Sequence, residues 1–101
     1  MRIEDTIKIS ELLNLYGELL SKKQKTMLEN YVNRDMSLAE IAENENISRV
    51  AVLDAIKKAK QKLFYYEKIL KLYKLKTDLR QVLTCDTKDY KSKITKILED
   101  L

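Results

Sequence analysis

Apolar residues recur at three- and four-residue steps almost from the start of the chain, the spacing of a buried stripe on an α-helix rather than the alternation of a strand. Ile9, Leu12, Leu13, Tyr16, Leu19 and Leu20 make the first stripe and predict a helix from about Asp5 to Leu20. Ser21 with Gln24 three residues on is a capping box, in which hydroxyl and amide side chains satisfy the free amides of a helix start. It predicts a second helix reaching about Asn33 through Met27, Leu28, Tyr31 and Val32. Asn33 to Met36 then reads as a loop.

Ser37 and Glu40 repeat the capping box and open a short third helix that buries Leu38, Ile41 and Ala42, then stops near Asn44 as the apolar period lapses. Asn46 supplies the turn, because asparagine tolerates a left-handed backbone better than most residues. Ser48 caps a fourth helix. Ala42 is small where two helices cross closely, Ile47 is expected to plug the corner, and Val52 and Ile56 face inward. A short capped helix, a tight corner and an aligned second helix, spanning Ser37 to Val52 as SLAEIAENENISRVAV, are the signature of a helix-turn-helix. An ordinary helical hairpin without a ligand carries the same caps and repeats and is the competing interpretation.

The fourth helix continues well past the motif. Val52, Ile56, Ala59, Leu63, Tyr66, Leu70 and Tyr73 keep alternating steps of four and three, the seam of a coiled coil. A helix from Ser48 to about Tyr73 is roughly 39 Å long, more than one motif covers. Phe64, Tyr65, Ile69, Leu72 and Leu75 widen its apolar face, which predicts that this stem forms a homodimer, suited to a motif that reads two half-sites. The alternative is a monomer whose last helices fold back over the stem. Leu79, Val82 and Leu83 carry helix to about Thr84, Cys85 to Asp89 is a polar break, and Tyr90, Ile94, Ile97, Leu98 and Leu101 mark a last amphipathic helix. Its other side bears Lys88, Lys91, Lys93 and Lys96, and packing of the apolar side is expected over adhesion to membrane or RNA.

Composition narrows the class. One glycine and no proline in 101 residues leave too few turn formers for a sheet protein, so the fold is expected to be all-α: a helix-turn-helix with a long central helix and carboxy-terminal helices. One domain is expected over residues 1–101, with the helix-turn-helix core at 21–66 and the stem and terminal helices at 67–101. A net charge of +4 is mild, but its distribution is uneven. Residues 1–47 hold six basic and nine acidic side chains, whereas residues 48–101 hold fourteen and seven. The basic part begins at the second helix of the motif. A lone cysteine, Cys85, cannot close an intrachain disulfide and reads as an idle thiol in a reducing compartment. With no apolar run near the roughly 20 residues of a membrane span and no secretory-type segment in MRIEDTIKIS, the expected location is cytoplasmic.

Candidate chemistry concentrates on the second helix of the motif, whose first turns approach base edges in a major groove. Ser48, Arg49, Val50, Leu53 and Asp54 take the outward positions. Arg49 suits guanine or phosphate, Ser48 suits phosphate, and Val50 and Leu53 offer apolar contact such as a thymine methyl. Asp54 meets phosphates unfavourably and is useful only as an acceptor from a cytosine amine. Lys57, Lys58, Lys60 and Lys62 continue along the helix as phosphate anchors or as a solvated face. An alternative is that Val50, Leu53 and Asp54 meet a protein instead. Catalysis is set aside: the chain has no histidine for a base, a metal ligand or a relay, and its cysteine lacks a partner. Its only glycine, Gly17, lies in an apolar helix rather than a phosphate loop. Asp35, Glu40, Glu43 and Glu45 read as a solvated acidic face, and no metal or other cofactor is expected.

The segment from Leu20 to about Tyr66, LSKKQKTMLENYVNRDMSLAEIAENENISRVAVLDAIKKAKQKL and the residues just after it, resembles region 4 of bacterial sigma factors. It is more closely similar to the small YlxM-like helix-turn-helix proteins. That resemblance implies a DNA-binding regulator within the winged-helix-like superfamily, tied to the signal recognition particle pathway because the gene commonly lies beside those of its GTPases. It implies, as a second possibility, an accessory protein that meets the particle's RNA or GTPase. Family members usually carry glutamine where this chain has Val50, so base reading by hydrogen bonds is reduced at that position.

Overall fold

The computed structural model describes residues 3–84 and 89–101, and its regular elements are all helical. They are α1 (Ile3–Tyr16), a 3₁₀ turn (Gly17–Leu19), α2 (Lys22–Val32), α3 (Leu38–Glu45), α4 (Arg49–Leu70), α5 (Leu72–Thr84) and α6 (Tyr90–Asp100). The chain divides into two compact units, Met1–Leu70 and Lys71–Leu101. Cys85, Lys88 and most of the expected polar break lie outside the described residues.

The core belongs to the first unit and uses the residues that the periodicity marks. Ile9, Leu12, Leu13 and Tyr16 of α1 meet Met27, Leu28 and Val32 of α2, Ile41 and Ala42 of α3, and Val52, Ile56, Ala59 and Leu63 of α4, all buried. One expectation fails within that stripe: Leu19 is 53% exposed. The chain tightens into the 3₁₀ turn at Gly17, and three residues per turn rotate Leu19 off the α-helical face while Leu20, extended at φ −85° and ψ 159°, stays in the core.

The starts of α2 and α3 are held locally. Ser21 accepts from the Gln24 amide and Gln24 accepts from the Ser21 amide, and Ser37 and Glu40 make the same reciprocal pair. Between them the Met36 amide donates to the Asn30 carbonyl at 3.0 Å, while the buried Asn30 side chain accepts from the Arg34 guanidinium at 3.1 Å. The loop is thereby tied to α2. At the corner, Asn46 is left-handed at φ 56° and ψ 44°, and the Ile47 amide donates back to the Ala42 carbonyl at 3.1 Å. That is the closure of a Schellman-type helix end. Ile47 does not plug the corner: its amide closes the helix end, but the residue is 40% exposed.

The long fourth helix is real but stops sooner than the seam suggests. It has 22 residues, about 33 Å at ~1.5 Å per residue, and ends where Lys71 turns left-handed at φ 55°. Tyr73, the last seam position, therefore belongs to α5. Of the seam, Val52, Ile56, Ala59 and Leu63 are buried, Tyr66 is half-buried and Leu70 is exposed. In the second unit α5 packs on α6, with Leu75, Val82 and Ile97 half-buried and none of its described residues buried.

Two stability outcomes follow in urea unfolding. Leu63→Ala, at a fully buried position, is expected to lose about 2–5 kcal/mol, whereas Leu98→Ala in exposed α6 should stay within about 0.5 kcal/mol. Asn46→Gly should raise stability by a few tenths of a kcal/mol and Asn46→Val should lower it by about 1–2 kcal/mol, since a β-branched residue resists the left-handed corner.

Candidate nucleic-acid interface

The motif has two helices joined by a corner, and the corner decides what the second one presents. Because Asn46 reverses the backbone, α4 begins as a separate helix rather than as an extension of α3. Its first turn is fixed by the Ser48 hydroxyl, which accepts from the Ala51 amide at 3.0 Å. Ser48 thus acts first as a cap, and its hydroxyl hydrogen is left to donate.

Along α4 the buried row Val52, Ile56, Ala59 and Leu63 fixes which side looks outward. At 3.6 residues per turn the opposite row contains Val50, Asp54, Lys57 and Gln61, all exposed, with Val50 at 78%. Gln61 was not among the residues singled out from sequence; its four-residue step from Lys57 is the signal that marks it. Arg49, Leu53 and Lys60 lie on one shoulder of this row, Lys58 and Lys62 on the other.

The lysines of this helix have different surroundings. Lys57 shares the central row. The Lys58 ammonium pairs with the Asp54 carboxylate at 3.0 Å, which neutralises part of the charge that would otherwise repel phosphates. Lys60 is half-buried and sits 5.5 Å over the Tyr31 ring of α2. Lys62 donates to the Gln24 amide oxygen in the first turn of α2 at 3.2 Å. Seven positions of α2 thus separate its contacts with the two shoulders, so α2 crosses beneath α4.

A brace at the far end holds α4 to α1. The buried Tyr16 hydroxyl donates to a Glu67 carboxylate oxygen at 2.7 Å, and Tyr16 meets the Tyr66 ring at 6.1 Å between centroids. Lys8 lies over Phe64 at 5.8 Å. Elsewhere on the first unit the Lys25 ammonium is hydrogen-bonded to the Glu18 carboxylate, which holds Glu18 below the usual carboxylate range and raises Lys25 above its own. Around α3, Glu40 is committed to the capping box; the other acids of that cluster line a surface and converge on no buried point.

Comparison with known proteins matches residues 3–101 to the family described as "Putative helix-turn-helix protein, YlxM / p13 like". A UPF0122 protein of Fusobacterium nucleatum is 41% identical over 102 residues, which cover 100% of this chain and 99% of that one. A UPF0122 protein of Clostridium kluyveri is 46% identical over 79 residues, 78% of this chain and 71% of the relative. One of Mycoplasma capricolum is 49% identical over 70 residues, 69% and 62% of the two chains.

If the Ser48 cap sets the start of the outward helix, Ser48→Ala is expected to cost about 1 kcal/mol. Hydrogen exchange should show the loss as faster exchange of the amides at 49–51, with α1 and α2 unchanged.

Proposed function

The chain belongs to the YlxM/p13-like helix-turn-helix family, and from that membership we propose that it is a non-enzymatic regulator that binds duplex DNA by laying α4 in the major groove. The observation that carries this reading is the exposed row Val50, Asp54, Lys57 and Gln61 on a helix whose opposite face is locked in the core. A groove about 12 Å wide admits such a helix. Arg49 and Ser48 contact bases or backbone at its start, Val50 and Leu53 meet thymine methyls, and Lys57, Lys58 and Lys60 anchor phosphates. Gln61 adds a donor and acceptor farther along. Asp54 sits against the duplex as an acceptor for a cytosine amine, and its pairing with Lys58 lowers the repulsion.

Homodimerisation belongs to the same reading. The stem keeps Phe64, Tyr65 and Ile69 exposed on α4, apolar side chains suited to a second copy, and two copies read two half-sites. Molar mass in solution tests it: a value near 11.9 kDa at micromolar concentration removes the dimer.

A protein or RNA partner in the signal recognition particle pathway is the second reading, favoured by one observation: the most exposed residue of the outward row, Val50, is apolar. Pull-down from lysate with and without ribonuclease separates the two, since recovery of that machinery by a chain without DNA affinity supports the second.

Titration of fluorescent duplex DNA tests the first reading directly. Arg49→Ala combined with Lys57→Ala is expected to weaken binding at least about tenfold near 0.1 M salt and to flatten its salt dependence. Asp54→Asn, which removes a carboxylate and frees Lys58, should tighten binding about fivefold. Unchanged affinity in both variants excludes this face.

A further inference from the structure

The first turn of α2 carries a charge pattern that the fold itself does not call for. Its residues Lys22, Lys23 and Lys25 place three cations at the positive end of the helix dipole, with no acid in that turn, an arrangement that disfavours each of them. Lys25 is offset by Glu18. Lys22 and Lys23 are exposed, and among the described residues neither has an ion-pair partner. Beside them stands Lys62 of α4, joined to Gln24 of the same turn at 3.2 Å and itself exposed.

The position of this cluster relative to the outward row gives it a use. Lys58 and Lys62 form one shoulder of α4, and Arg49, Leu53 and Lys60 form the other. Because α2 passes beneath α4 from Gln24 under Lys62 to Tyr31 under Lys60, its amino-terminal turn emerges on the shoulder of Lys58 and Lys62. A helix of about 10–12 Å diameter in a groove about 12 Å wide has a phosphate strand along each side. Arg49 and Lys60 serve one strand. On the opposite side Lys58 shares its charge with Asp54, so its hold on that strand is the weaker one, and cations from α2 strengthen it.

We infer that Lys22 and Lys23, with Lys62, are a second phosphate-contacting surface for duplex DNA, gripping the strand opposite the one that Arg49 and Lys60 face. This rests on the groove reading above. Contact is through the lysine side chains; the amides of the turn are already served in part by the Ser21 cap. The contact is independent of base sequence, so the surface adds affinity and orientation rather than recognition.

The test uses the full chain and fluorescent duplexes of two unrelated sequences, titrated between about 50 and 200 mM salt. Lys22→Ala with Lys23→Ala should lower the slope of log affinity against log salt by about 1.8, at about 0.9 per lost phosphate contact. Affinity should fall at least about tenfold on both duplexes, with Lys62→Gln acting in the same direction. The thermal midpoint should hold or rise, because cations leave the positive end of a helix, so weaker binding cannot be assigned to unfolding. Lys22→Arg with Lys23→Arg should keep the slope. An unchanged slope in the alanine pair, while Arg49→Ala with Lys57→Ala still weakens binding, overturns this surface and leaves the groove reading intact. A wild-type chain that binds neither duplex at low salt overturns both.

Discussion

The left-handed backbone at Asn46 is the constraint on which the outward helix depends. A right-handed residue there would let α3 run on into α4, and the row from Val50 to Gln61 would lie on a continuous rod. Instead the Ile47 amide turns back to Ala42, the Ser48 hydroxyl starts a new helix, and Val52 and Ile56 carry it into the core. Two short-range hydrogen bonds thus set the direction of a helix of 22 residues. Deep packing then makes that direction permanent, since Val52, Ile56, Ala59 and Leu63 are sealed against α1, α2 and α3.

Most of this was legible because it is local. Both capping boxes span three residues, and their serine, glutamine and glutamate can be read without knowing anything about the rest of the chain. The Asn46 corner was legible for the same reason, as was the apolar stripe of each helix in the first unit. What stayed hidden is tertiary or lacks a marker residue. Lys71 turns left-handed with no glycine or asparagine to announce it, and the seam through Leu70 and Tyr73 argues for continuity. The 3₁₀ turn at Gly17–Leu19 moves Leu19 out of a stripe that periodicity alone assigns to the core.

The candidate interface was legible only as a set of positions. Sequence spacing identifies Arg49, Val50, Asp54 and the lysines as facing away from the core, but their roles diverge through contacts with other helices. Lys60 is engaged by Tyr31, Lys62 by Gln24 and Lys58 by Asp54, so a run that reads as four equivalent cations becomes four different ones. Gln61 emerges only when the outward row is traced against the buried one. The charge step at residue 48 also acquires a refinement, since Lys22 and Lys23 lie in the acidic half of the sequence yet sit beside Lys62 of the basic half.

The Tyr16–Glu67 brace joins residues 51 positions apart, whereas the capping boxes close over three. Loop closure makes the distant pair entropically costlier to form than the local caps. The chain has six tyrosines and no tryptophan, and Tyr16 is a buried one, hydrogen-bonded to a carboxylate and tilted against the Tyr66 ring. Its near-ultraviolet signal is therefore a built-in optical gauge of when α1 has docked, with no label needed.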